Sequence, residues 1–149
     1  MARTRGSRAA LLASADEVEA QFYEAMQQGD LSRLMATWSD DEEIVCVHPG
    51  GVRVVGPQAI RASFEPMLAD GGVPVVPEQV RRLQGMGAAV HHLVERVTVQ
   101  TPGGPAQLYV MATNVFVRTA QGWRLVAHHA SPAGTEPPPT LQEWPSTVH

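Results

Sequence analysis

Four runs rich in β-branched and apolar residues fill the second half of this chain: Val75–Gln84, Ala88–Gln100, Gln107–Arg118 and Trp123–Ser131. The breaks between them are Gly85-Met86-Gly87, Thr101-Pro102-Gly103-Gly104-Pro105 and Thr119-Ala120-Gln121-Gly122, all turn compositions. Long consecutive strands on short turns predict an antiparallel meander. A sheet of that kind needs a partner layer for its apolar face, and the first half of the chain must supply it.

That half reads as helices. Ser14-Ala15-Asp16-Glu17 has capping-box spacing, and Val18, Phe22, Ala25 and Met26 fall on one helical face. Gly29 suits a helix C-terminus, and Asp30 caps a second helix whose apolar positions are Leu31, Leu34, Met35 and Trp38. Ile44–His48 and Val52–Val55 read as a small hairpin across Gly50-Gly51. Gly56-Pro57 opens a third helix carrying Ile60, Phe64, Met67 and Leu68, which Pro66 is expected to kink or end. The layout is α+β: N-terminal helices packed over the concave face of a cone-shaped, curved antiparallel sheet. The space between the two layers is the default ligand site.

Residues 1–14 read as a flexible basic leader, 15–131 as the folded domain and 132–149 as a Pro-rich tail, extended at Pro137-Pro138-Pro139 and pinned by Trp144. Arg3, Arg5 and Arg8 precede Ala9–Ala13, but five apolar residues fall short of the roughly 7–15 of a signal peptide. Cys46 is alone, so an internal disulfide is impossible and nothing points to an oxidising compartment. The expected location is the cytoplasm. A net charge of -4 disfavours nucleic acid, and no run is apolar enough to span a bilayer.

Four segments carry a family resemblance: Gly29–Trp38, Val47–Gly51, Val55–Ile60 and Gly122–Ser131. With them the chain resembles the SnoaL-like group of the nuclear transport factor 2-like superfamily, which also holds ketosteroid isomerase. The resemblance implies a fold rather than a reaction, because that superfamily hosts isomerases, cyclases, dehydratases, transport factors and assembly domains. Carried over by position, the isomerase's base carboxylate, in an acid-Pro step, becomes His48-Pro49 here. Its oxyanion-holding Tyr becomes Phe22, with Tyr23 one place off and expected to point elsewhere. Its protonated Asp becomes Asn114. The family habit and the apolar final strands imply a homodimer through the outer sheet face.

His48 leaves a buried strand into a Pro-Gly-Gly turn, where a strand end meets open space, and is the candidate general base. It can equally be a strand-end residue satisfied by the turn backbone. Asn114, mid-strand, offers its amide to a substrate oxygen or to a structural partner. A four-residue loop at Thr119–Gly122 would pair Phe116 with Leu125, Asn114 with Ala127 and Ala112 with His129. That register puts Asn114 and His129 on the cavity face and His128 outside; a one-residue slip reverses it. Phe22, Trp38, Phe64, Met111 and Phe116 are candidates for an apolar wall. Adjacent histidines in strands split across two faces, so His91-His92 and His128-His129 cannot chelate as pairs. A metal set of His48, His129 and a carboxylate such as Glu95 is the remaining arrangement, but neither a metal nor a bound cofactor is expected. Cys46 shares a strand face with His48 and is read as a small buried hydrophobe. The functional expectation is a small hydrophobic ligand handled without a cofactor by His48, Asn114 and His129 as isomerase, cyclase or lyase residues. The alternative is a non-catalytic ligand-binding or oligomerisation domain.

Overall fold

The computed structural model describes residues 12–143; the leader up to residue 11 and the expected Trp144 anchor lie outside them. The elements are α1 (Ala15–Gln28), α2 (Leu31–Met35), β1 (Val45–Val47), β2 (Arg53–Val55), α3 (Pro57–Leu68), β3 (Val75–Gln84), β4 (Ala88–Thr101), β5 (Gly104–Thr119) and β6 (Gly122–Gly134). The strands form one open six-stranded sheet in the order β2-β1-β6-β5-β4-β3. Its long part is the expected antiparallel meander. At the other end β1 runs parallel to β6, Cys46 opposite His128, so the sheet is mixed.

Local signals act where the sequence places them. The Ser14 hydroxyl accepts from the Glu17 N–H at 3.1 Å, and the Glu17 carboxylate takes the Ala13 N–H at 2.9 Å. Asp30 caps α2 through the Arg33 N–H at 3.0 Å. The Gly51 N–H returns to the His48 carbonyl at 2.8 Å, with Pro49 second and Gly50 third at φ 70°, the pattern of a type II turn. Pro66 does not end α3, which continues to Leu68. Its missing N–H frees only the carbonyl of Ala62, an exposed residue six positions before the helix end, where water can satisfy it. The tight turn at Thr101–Gly104 lets β4 and β5 run longer than their apolar runs.

The core lies between the helices and one sheet face. Phe22 meets Phe64 edge-on at 6.1 Å and Trp38 at 6.4 Å. Below them sit Ala112, Phe116, Leu125 and Ala130, all buried. Burial of this apolar surface is the main favourable term for folding. Backbone meets backbone where α1 ends: a Cβ on Gly72 would lie 1.6 Å from the Gln27 carbonyl oxygen. The Val73 N–H binds the Met26 carbonyl there at 2.9 Å, clipping the loop into β3 against the helix.

The register of the last hairpin differs from expectation at one point. Arg118 faces Trp123 and Phe116 faces Leu125, as expected. Val115 then faces Ala127, so Val126 is an extra residue in β6, and Asn114 pairs with His128 rather than Ala127. The β-bulge turns over the β6 side chains that follow it, as far as a second register shift after Pro132. His128 is therefore 3% exposed on the core face, while His129 is exposed on the outer one.

The close approach at Gly72 is testable. Gly72→Ala is expected to cost about 1–3 kcal/mol or more, whereas Gly87→Ala, with open space around its Cβ, stays within about 0.5 kcal/mol. Equal denaturant midpoints for the two variants would contradict this packing.

Candidate functional site

A cavity of about 260 Å³ lies between α1, α3 and the sheet. Met26 of α1, Phe64 and Met67 of α3, Val73 in the loop before β3, Val75 at the start of β3, Val97 of β4, and Leu108 and Val110 of β5 supply its walls. His48 and Pro49 stand on its rim, and Glu95 and His128 supply polar atoms among the apolar walls. No lysine or arginine is among these lining residues.

The polar network beneath the cavity can be oriented by donor logic alone. The Asn114 Nδ2 lies 3.1 Å from Glu19 Oε2 and 3.1 Å from the Tyr23 hydroxyl. An amide nitrogen can only donate, so it gives one hydrogen to each. The Tyr23 hydroxyl is left to donate its own hydrogen to Glu95 Oε2, at 2.6 Å. The Asn114 oxygen must accept, and it lies 2.6 Å from His128 Nδ1. His128 therefore carries its proton on Nδ1 and leaves Nε2 as a bare acceptor. That Nε2 is 3.9 Å from Glu95 Oε2, beyond hydrogen-bond range. His91, buried behind Asn114, has its Nδ1 3.0 Å from Glu19 Oε2 but off hydrogen-bond alignment.

Burial sets the protonation states. It pushes the Glu95 carboxyl up to about 7, with the Tyr23 hydrogen bond pulling it down and the nearby Glu19 raising it further. It pushes His128 down to about 3, helped by the neighbouring imidazoles of His48 and His129. Tyr23 is raised well above its ordinary value by burial and then by Glu95. At neutrality His128 and Tyr23 are neutral, and Glu95 stands near its midpoint.

His48 is half-buried at the mouth. Its Nε2 lies 2.9 Å from Ser63 Oγ and 3.7 Å from Cys46 Sγ, and its ring meets Phe64 edge-on at 4.7 Å. Burial lowers its pKa. The Cys46 thiol is fully buried and pushed up to about 12, first by burial and then by Glu95, so it stays protonated as a small hydrophobe.

The structure thus brings together some of the residues expected at the site and separates others. His48 and Phe64 line the cavity. Asn114 lies behind it, fully buried, holding Tyr23 and His128. His129 is on the opposite sheet face because of the Val126 bulge. Met111 is also on that face, in a groove of about 560 Å³ with Arg81, His92 and tail residues Pro139 and Thr140. Phe22, Trp38 and Phe116 are core: Phe22 backs Phe64 and His128, Trp38 caps the β6 end, and Phe116 packs on His91 at 4.9 Å. Among the described residues no group of three His, Cys, Asp or Glu side chains is placed to hold a metal ion. The expected divergence of Tyr23 does not occur; Tyr23 points into the layer beside Phe22, and both are about 1% exposed.

Two residues carry more of the site than the sequence reading gave them. Glu95 stands in phase with Ala89, His91, Leu93 and Val97, the inward positions of β4, and a carboxylate in that phase was a visible signal. His128 had no local signal, because nothing around Val126 marks a bulge.

The proton on Glu95 has a measurable consequence. Its folded pKa, about 7, lies above the ordinary 4.5, so the folded state holds an extra proton between those values. Stability from this group is complete at low pH and is lost as pH rises from about 4.5 to 7. His128 works in the opposite sense, its contribution lost as pH falls from 6.5 to about 3. The folding equilibrium of Glu95→Gln, relative to wild type, is therefore expected to improve with pH by up to roughly tenfold per unit across the Glu95 window. A ratio that does not change with pH, in parallel denaturant titrations, would contradict the assignment.

The family model for the SnoaL-like domain matches residues 16–135. No curated protein matches the chain. Among solved structures, a protein from Thiobacillus denitrificans provisionally assigned as a calcium/calmodulin-dependent protein kinase type II association domain is 30% identical. That match covers 83% of this chain and 98% of the other, with a TM-score of 0.74. A provisionally assigned dehydratase of the NTF2-like family from Streptomyces avermitilis is 29% identical over 78% of this chain and 91% of that one, with a TM-score of 0.70. An NTF2-like protein with a cystatin-like fold from Novosphingobium aromaticivorans shares the fold at 20% identity, over 88% of this chain and 86% of that one, with a TM-score of 0.65. No helix among the described residues is long and apolar enough to cross a membrane. By the match over most of its length, the chain belongs to the SnoaL-like domain family, on the NTF2-like α+β fold.

Proposed function

We propose that this chain binds a small apolar molecule in the cavity between its helices and its sheet, and that Glu95 exchanges a proton with the bound molecule. The observation that carries the reading is a buried carboxyl group among apolar cavity walls with one oxygen held by Tyr23, an environment that pushes it up to about 7. A group whose pKa matches the operating pH is the efficient acid or base. His48 was the base expected from the sequence; here it stands at the mouth with Ser63 and can orient a ligand's polar end. Asn114 acts through others, fixing the His128 tautomer and the Tyr23 hydroxyl. The chemistry open to such a floor is proton abstraction or return, the elementary step of an isomerase, cyclase or lyase.

A second reading is assembly without chemistry. A protein 30% identical is provisionally assigned as an association domain, and on this reading the outer sheet face would support a homodimer. On that reading the cavity is only a gap between layers. A monomeric mass in solution would remove the dimer.

The cavity reading is tested with methyl NMR of Met26, Met67, Val97 and Val110. A neutral probe, cyclohexanol, is expected to shift these signals in wild type and to lose its effect in Val110→Trp, whose ring fills the space. Unmoved methyl signals at saturating probe would sink the reading.

A further inference from the structure

The polar atoms presented to the cavity are unusual in sense. Glu95 Oε2 is taken by the Tyr23 hydroxyl, and Oε1 makes no hydrogen bond among the described residues. His128 must donate through Nδ1 to Asn114, so its Nε2 is an acceptor, and no hydrogen bond reaches it among the described residues. Glu95 is 6% exposed and His128 3% exposed. Both residues line the same apolar cavity, and His128 Nε2 lies 3.9 Å from the Glu95 oxygen that Tyr23 holds. A ligand that fills the cavity cuts these acceptors off from water, and leaving them without donors is then costly, a carboxylate most of all. No cationic side chain lines the cavity to receive an anion, and the groups around the floor are Glu95, Glu19, Tyr23, His128, His48 and Cys46. A carboxylate or phosphate brought here would meet one acid and two neutral imidazoles.

We infer that the cavity selects a small hydrophobic amine, its ammonium hydrogens shared between Glu95 and the bare Nε2 of His128 and its hydrocarbon part set against Phe64, Val97 and Val110. This rests on the cavity reading above and names the ligand class for it. An ammonium has three donors and no acceptor, so it satisfies both groups without adding an unpaired one. It also supplies the charge partner that a buried carboxylate otherwise lacks, as a charge-assisted hydrogen bond. A neutral alcohol satisfies one acceptor and leaves no counter-charge. The volume, about 260 Å³, is below the roughly 300–1,000 Å³ of drug-sized sites, so the amine carries one ring or a short chain.

The binding carries a proton signature. Below about 7 the ammonium must displace the proton that Glu95 holds; above it the carboxylate is already free. Amine affinity is then expected to rise up to roughly tenfold per pH unit toward neutrality and to level off above it.

The test compares cyclohexylamine, cyclohexanol and cyclohexanecarboxylate by calorimetry and methyl NMR on the full chain, between about pH 5 and 8. The inference predicts cyclohexylamine as the tightest of the three, with the stated pH slope in wild type and a loss of at least tenfold in Glu95→Gln. The wild-type slope decides the matter even where that variant folds poorly. Cyclohexanol equal to or tighter than the amine, a pH-independent amine affinity, or preferred binding of the carboxylate would overturn the inference and leave the cavity reading standing. Failure of all three to move the methyl signals would overturn both.

Discussion

The hydrogen bond from Tyr23 to Glu95 is what lets a carboxyl group reside among Phe64, Val97 and Val110. Without it an acid in that position would face the full cost of desolvation. With it the cost is shared: the acid sits near 7, the phenol is forced far up, and one carboxyl oxygen remains unbonded. Tyr23 is held in turn by Asn114, which also fixes His128. Each donor in this series has one assignment, so the directions of its hydrogen bonds are fixed while the Glu95 proton comes and goes near neutrality.

The fold exists, in this sense, to bring α1 and three strands to one point. Glu19 and Tyr23 come from the helix, Glu95 from β4, Asn114 from β5 and His128 from β6. Tyr23 and Glu95 are seventy-two residues apart in sequence. The same helix ends in the Gly29 and Gly72 contact that clips β3 to it. A loosened clip would let α1 drift from the sheet, and the network with it. Packing and the buried polar network therefore meet in α1.

Much of the architecture was legible because it is written locally. Turn residues at Gly85–Gly87 and Thr119–Gly122, the cap at Ser14 and the Pro49-Gly50 turn each specify conformation within a few residues. The site was legible only in part, for physical reasons that differ by residue. His48 and Phe64 were found because a strand end and a helix stripe are local features. His129 was chosen over His128 because alternation carries no memory of a bulge, and Val126 is not a Gly or Pro that would announce one. Tyr23 was set aside because one helix face was assumed, whereas α1 is covered on two sides, by Phe64 and Trp38 against Phe22 and by Glu95 against Tyr23. Met111 was placed on the wall by type alone; its strand phase puts it outside with His92. Glu95 was visible by its phase in β4, yet a lone carboxylate in a strand reads as solvated until its neighbours are counted.

The central claim is that Glu95 keeps its proton up to neutrality in this cavity. The direct measurement is a carbon NMR titration of the side-chain carboxyls, with Glu95 assigned by its loss in Glu95→Gln. A midpoint near 7 is the result the structure predicts. A midpoint near the ordinary 4.5 would mean that water reaches the carboxylate freely, and the buried floor with its unfilled acceptors would have to be given up.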